Sequence, residues 1–230
     1  MIPLKNAFWT RRPYHSFPFA NAFLLFFTFI TVFVIPVFPG NNLNLLYSFS
    51  LSFVFIFAVL AIKKNTKSLI RVIIFLSITI WVSFFSEIVL LKQLFKIINF
   101  LFFIFLVLGL IKQVSSIATV TAKVIVDSIS GYLLLGFAFS LIVAIVASTV
   151  PGAYNANFFE NQKIDTLEPL HNNIYYTFMT FATTGYGDIV PTHPISKSLA
   201  VLISVSGQLY IAVIISMLVG KYASFTKKEK

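Results

Sequence analysis

The chain contains no cysteine, and only 10% of its 230 residues are charged. Without cysteine there is no disulfide, no thiolate nucleophile and no cysteine-based metal site. The scarcity of charge excludes an ordinary soluble domain, which carries about 25% charged residues. Hydrophobic residues make up 58% of the chain, which also excludes a disordered segment. The composition therefore predicts an integral membrane protein.

Acidic residues are especially scarce, since 7 Asp and Glu stand against 17 Lys and Arg. In a soluble protein this imbalance would suggest nucleic acid as a partner. In a membrane protein, basic residues are instead retained in cytoplasmic loops beside anionic lipid. We therefore expect membrane lipid around the chain and no nucleic acid, and the sequence implies no soluble partner.

Six apolar segments are candidates for membrane-spanning helices, each of which needs about 20 apolar residues. They lie at about 17–38, 45–62, 69–91, 94–111, 130–150 and 196–219, and Pro36 interrupts the first. With both termini inside, thirteen of the 17 basic residues are cytoplasmic, as loop charge requires. This predicts an all-α membrane protein with a cytoplasmic N-terminus at 1–16 and a short cytoplasmic tail at 221–230.

The segment 112–129 is predicted to be an amphipathic linker helix on the inner leaflet. Val124, Ile125 and Ser128 fall on one helical face, whereas Lys123 and Asp127 share the other. A plain connector is the alternative interpretation.

A half-length helix at 172–182 is followed at once by a polar run with two glycines, Thr183-Thr184-Gly185-Tyr186-Gly187-Asp188. Non-helical backbone at membrane depth is tolerated only where it is buried or lines a water-filled path, so we expect a re-entrant loop. Gly185 and Gly187 can take left-handed backbone angles, which lets successive carbonyls point the same way. Four such loops around an axis would replace the water of a dehydrated cation, and the Thr183 hydroxyl would add a further ring of oxygens.

This run resembles Thr-Val-Gly-Tyr-Gly-Asp, the filter signature of the potassium-channel pore family. The runs Tyr132-Leu-Leu-Leu-Gly136 and Gly207-Gln-Leu-Tyr-Ile-Ala are similar to bacterial members, and the resemblance covers about 119–222. It implies a homotetramer in the bacterial inner membrane, with no cofactor besides the permeant K⁺ ions. The implied pore domain, 130–220, has an outer helix (130–150), a pore helix (172–182), a filter (183–188) and an inner helix (196–219).

The resemblance also assigns roles to single residues. K⁺ would bind at the carbonyls of Thr183, Thr184, Gly185 and Tyr186, with Gly187 completing the filter. Gly207 would be the gating hinge of the inner helix; a small residue for close helix packing is the alternative.

Two substitutions depart from the family pattern. Thr184 replaces the usual valine, so its hydroxyl needs a partner and selectivity for K⁺ would be relaxed. Met179 stands where some members have a glutamate behind the filter. Asp188 would then lack its partner, and the Tyr175 hydroxyl is the expected substitute.

The first four segments, 17–111, look like a voltage-sensor scaffold without gating charges, since the fourth has only Lys96 near its start. Each charge moving through the field supplies about 2.3 kcal/mol per 100 mV, so steep voltage gating is not expected.

Without a cluster of nucleophile, base or metal ligands we also expect no enzyme. The predicted function is passive K⁺ conduction; a weakly selective cation channel and a non-conducting regulatory subunit are the alternatives.

Overall fold

A computed structural model of the chain describes residues 19–38, 43–62, 71, 74–75, 77–82, 86, 88–116, 121–155 and 170–226. The described regular structure is helical apart from one antiparallel bridge between Tyr154 and Pro191. The helices are α1 (Ala20–Phe29), α2 (Leu43–Ile62), α3 (Val89–Ser116), α4 (Ala122–Thr149), α5 (Leu170–Phe181) and α6 (Pro194–Thr226).

Four described helical stretches are long and apolar enough to cross a membrane. They are Ala20–Val37, Gln93–Ser116, Ala122–Thr149 and Pro194–Ala223, and Leu45–Ala61 is a shorter apolar helix. These helices support the predicted integral membrane protein. The count of six spans stays a prediction, because nine of the 23 residues of the expected third segment, 69–91, lie outside the described residues.

The first span changes its helical geometry before it ends, as Pro36 predicts. After Phe29 the helix widens to a π-turn over Ile30–Val34 and then tightens to a 3₁₀ turn over Ile35–Val37. Proline has no N–H, so the carbonyl one turn earlier loses its helical donor. The Thr31 hydroxyl also bonds to the Phe27 carbonyl at 2.7 Å and to the Ser50 hydroxyl at 2.6 Å, which ties this region to α2.

Helix α4 lies at the centre of the molecule and packs against α1, α3, α5 and α6. A helix with neighbours on several sides must be apolar around most of its circumference. The Phe137 ring of α4, for example, meets Phe103 of α3 with ring centroids 5.3 Å apart. Helices α1 and α3 therefore pack against α4 of their own chain.

The predicted linker helix at 112–129 is wrong. Residues 112–116 form the end of α3, and residues 122–129 form the start of α4, which begins eight residues earlier than expected. Thr121 has an extended backbone (φ −119°, ψ 161°) and marks the start of α4. The predicted faces are also wrong, since Asp127 is 0% exposed whereas Ile125 is 45% exposed.

Asp127 is buried because amide groups from two other helices pair with its carboxylate. Asn21 of α1 donates to one carboxylate oxygen, and Gln113 of α3 donates to the other at 2.9 Å. A buried carboxylate is tolerated only with such partners. The sequence pattern placed Asp127 toward water because it assigns charged residues to the exposed face, and it carries no information on donors from distant helices.

Candidate functional site

Helix α5 leads directly into the polar run with its two glycines. It spans Leu170–Phe181, close to the expected 172–182, and its 12 residues measure about 18 Å, well short of a bilayer core. Phe178 packs so tightly on α4 that a Cβ at Gly136 would lie 2.7 Å from its ring. This contact fixes α5 against the central helix.

The C-terminus of α5 is closed by backbone hydrogen bonds from the loop that follows. The Thr183 N–H donates to the Thr180 carbonyl at 3.0 Å, and the Thr184 N–H donates to the Met179 carbonyl at 2.8 Å. This pair of bonds is the Schellman arrangement, whose residue beyond the helix end adopts left-handed backbone angles and is usually glycine. Here that residue is Thr183, with φ +58°.

Every second residue of the run from Thr183 has a positive φ. The values are +58° at Thr183, +55° at Gly185 and +81° at Gly187. Gly185 and Gly187 thus have the left-handed backbone angles that the sequence predicted. A positive φ at Thr183 could not be expected from its residue type, because a β-branched residue is disfavoured there. A residue held in such an angle points to a functional constraint.

Within a single chain the loop is open on one side. Residues 183–188 are all exposed, and Tyr186 is 71% exposed. A Cβ built at Gly185 or Gly187 would meet no atom within 4 Å, so these glycines serve the backbone angle and not close packing. The Thr184 side chain, expected to have a hydrogen-bond partner, has none among the described residues of one chain.

The predicted contact between Tyr175 and Asp188 is present. The Tyr175 hydroxyl donates to the Asp188 carboxylate at 2.6 Å. This hydrogen bond is the main reason why the pKa of Asp188 lies below its usual value, and the N–H groups of Asp188 and Ile189 lower it further. Asp188 is thus held as a carboxylate at the end of the loop.

Hydrogen bonds join the segment after the loop, residues 190–196, to residues 153–155, which follow α4. The Val190 N–H donates to the Asn155 side-chain oxygen at 3.0 Å, and the Asn155 N–H donates to the Val190 carbonyl at 3.1 Å. The Ser196 hydroxyl donates to the Ala153 carbonyl at 2.6 Å. Sequence reasoning missed Asn155, although asparagine commonly bonds to backbone groups in loops.

Helix α6 approaches the loop at Gly207. A Cβ there would collide with the carbonyl oxygen of Phe181, so the close-packing role of Gly207 is present in the structure. Helix α6 runs unbroken through this position, and the hinge role stays a prediction. The next residue, Gln208, donates from Nε2 to the Thr183 hydroxyl oxygen at 3.4 Å. One turn from Gly207, the Tyr210 hydroxyl donates to the Ser128 carbonyl of α4 at 2.8 Å.

An ion-channel family model matches residues 129–223. The match contains α5, the loop and most of α4 and α6, and it covers less than half of the chain. It supports an ion-channel pore domain in this region and passive ion conduction by the protein. No curated protein and no solved structure matches the chain.

Proposed function

We propose that this protein is a subunit of a potassium-selective channel that conducts K⁺ passively across the membrane. The observation that carries the proposal is the alternation of left-handed backbone angles at Thr183, Gly185 and Gly187. Such alternation lets successive carbonyl oxygens face the same side of the chain. Rings of backbone carbonyls that replace the hydration shell are how potassium filters work.

The channel would be a homotetramer, because one loop cannot surround an ion. The exposure of the whole run 183–188 supports this assembly, since a single chain leaves Tyr186 and its neighbours uncovered. Apolar residues on α6 are exposed as well, among them Val201, Leu202 and Val205. Large exposed apolar surface marks contact with lipid or with another subunit.

The ion sites would be the carbonyls of Thr183, Thr184, Gly185 and Tyr186, together with the Thr183 hydroxyl. Helix α5 supports a cation at the inner end of this path, because its carbonyl end faces the loop and carries partial negative charge. Asp188 and Tyr175 would support the outer end of the filter through their hydrogen bond of 2.6 Å.

Both termini would be cytoplasmic, in a bacterial inner membrane, as loop charge indicates. Gating by voltage would be weak, since α3 carries Lys92 and Lys96 near its start and Lys112 near its end but no row of charges between them. The family match favours a transport protein over an enzyme.

A weakly selective cation channel is the second candidate, and Thr184 is the observation that favours it. Its side chain is exposed and unpartnered within one described chain. If the neighbouring subunit offers no partner either, the backbone at this position is held less firmly and the fit to K⁺ is less exact.

The test is a planar-bilayer recording of the purified tetramer with K⁺ on one side and Na⁺ on the other. A potassium-selective channel gives a reversal potential that follows the K⁺ gradient by about 59 mV per tenfold change. A reversal potential near zero under these conditions contradicts the proposal. Thr184→Val, which restores the usual residue, separates the two candidates: it raises selectivity only if the wild-type filter is relaxed.

A further inference from the structure

The side chain of Gln208 reaches the inner end of the loop because of its neighbour Gly207. Glycine lets the backbone of α6 meet the carbonyl of Phe181 directly. Gln208, the next residue, therefore lies beside the turn that follows α5. Its Nε2 atom lies 3.4 Å from the Thr183 hydroxyl oxygen, and the side chain is otherwise exposed.

The hydrogen bonds of Thr183 determine which end of the Gln208 amide faces it. A hydroxyl has one hydrogen to donate and two lone pairs to accept. The Thr183 hydroxyl donates its hydrogen to the Ala182 carbonyl at 2.7 Å. Toward Gln208 it can therefore only accept, so the amide must present its N–H and not its carbonyl oxygen. One lone pair of the hydroxyl is occupied, and one is left.

We propose that Gln208 is a positioning residue for the Thr183 hydroxyl and thereby sets the cation affinity of the innermost oxygen ring. The inference rests on the proposed function and deepens it. An amide N–H occupies a lone pair that a cation would otherwise use, and it brings partial positive charge next to the same oxygen. Both effects weaken cation binding at this ring.

Weaker binding at the inner ring is useful for conduction. Ions pass quickly only where a site binds them well enough to enter and weakly enough to leave. Thr183 is held at this place by the end of α5, and Gln208 limits how tightly its hydroxyl binds an ion. Four copies of Gln208 would act together around the axis.

The test compares wild type with Gln208→Met, which keeps the length of the side chain and removes the N–H donor. We measure single-channel conductance against K⁺ concentration. Without the donor the K⁺ concentration for half-maximal conductance should fall about three- to tenfold, the range expected for one lost hydrogen bond. Maximal conductance should fall with it. Gln208→Glu keeps the shape, cannot donate and adds negative charge, so its half-saturating concentration should fall further.

A merely structural role for Gln208 would be satisfied by Gln208→Met, and conductance would then saturate as in wild type; this outcome overturns the inference. Thr183→Ala supplies a second check. In that background Gln208→Met should have no further effect, because the hydroxyl on which Gln208 acts is gone. If Gln208→Met shifts the half-saturating K⁺ concentration equally with and without the Thr183 hydroxyl, the inference is also overturned.

Leu209→Met is the matched control, since Leu209 neighbours Gln208 on α6 and is 59% exposed. It should leave the saturation curve unchanged. Size-exclusion chromatography confirms that each variant assembles as the wild type does. A wild-type protein that carries no K⁺ current in bilayers and binds no K⁺ by calorimetry rejects the proposed function and this inference together. A conducting wild type with an unshifted Gln208→Met rejects the inference alone.

Discussion

The scaffold helices α1–α3 and the loop unit, α4–α6 with its connecting loop, are held together in different ways. In the scaffold, hydroxyls mostly bond to their own helix, as Thr28 does to the Leu24 carbonyl at 2.7 Å, and aromatic rings join the helices. Phe27 stacks on Phe53 and Phe57 with centroid distances of 4.7 and 5.4 Å. In the loop unit, directed hydrogen bonds join residues that are far apart in sequence.

Several hydrogen bonds of the loop unit are long-range, although its helices also contain local ones such as that of Ser140 to the Phe137 carbonyl. Tyr210 reaches Ser128 over 82 residues, and Asn155 meets Val190 over 35. Apolar packing has little directional preference, whereas a hydrogen bond weakens steeply when its geometry changes. The difference teaches that the scaffold fixes the shape of the molecule, while the loop unit fixes the positions of particular oxygen atoms.

Asp127→Ala tests a junction where directed hydrogen bonds join two scaffold helices, α1 and α3, to α4, and it has the largest expected effect. Removing the carboxylate leaves the buried amide of Asn21 and the half-buried amide of Gln113 without this acceptor. The free energy of unfolding should fall by about 3 kcal/mol, as measured in mixed micelles. Ser140→Ala is the control, because Ser140 is equally buried on α4 but bonds only to the nearby Phe137 carbonyl, at 2.6 Å. An equal loss in both variants would contradict the special role of Asp127.

Gly207→Ala tests the contact between α6 and the end of α5. The added Cβ would strike the Phe181 carbonyl, and relieving such overpacking costs about 1–3 kcal/mol. Gly220→Ala is the matched control on the same helix, since a Cβ there would meet nothing within 4 Å. It should stabilise α6 by up to about 1 kcal/mol. If both substitutions shift thermal stability in the same direction, the close contact of Gly207 with the Phe181 carbonyl does not determine which residue is tolerated at position 207.

Thr183→Gly separates the stability of the loop from its function. Glycine removes the cost of a left-handed angle at a residue with a Cβ, so the protein should gain about 1 kcal/mol. Gly185→Ala should have the opposite sign, because it introduces that cost at φ +55°. Thermal unfolding of both variants in the same detergent checks the pair. A destabilised Thr183→Gly protein would show that the hydroxyl contributes more to folding than the angle costs.

Tyr175→Phe has the smallest expected effect, a shift in the titration of one exposed carboxyl. Without the Tyr175 hydroxyl the pKa of Asp188 should rise toward its usual value. The hydrogen bond contributes stability above the ordinary pKa of an aspartate, and this contribution disappears as the pH falls through the lowered pKa. Carbon-13 NMR of the labelled carboxyl in micelles measures the midpoint. Tyr222→Phe, at an exposed position on α6, should leave it unchanged.

Several features of the site could be predicted because they depend on neighbouring residues. The shortness of α5 and the left-handed angles of Gly185 and Gly187 follow from local spacing and residue type, whereas the pairing of Tyr175 with Asp188 was expected from the family resemblance. The start of α4 could not be predicted, since the polar residues around Asp127 looked like an exposed face. Gln208 gave no signal either, because its contact with Thr183 depends on how close α6 comes to α5.

The sequence by itself determined that this is a membrane protein of apolar helices, and it located the loop between two of them. Composition and the length of apolar runs suffice for that, since the bilayer imposes the same requirement on every chain. Only the tertiary structure decided that Asp127 is buried, that Thr183 takes a left-handed angle and that Gln208 reaches it. The contacts of Asp127 with Asn21 and of Thr183 with Gln208 join residues 106 and 25 positions apart, and such partners meet only once the helices have packed.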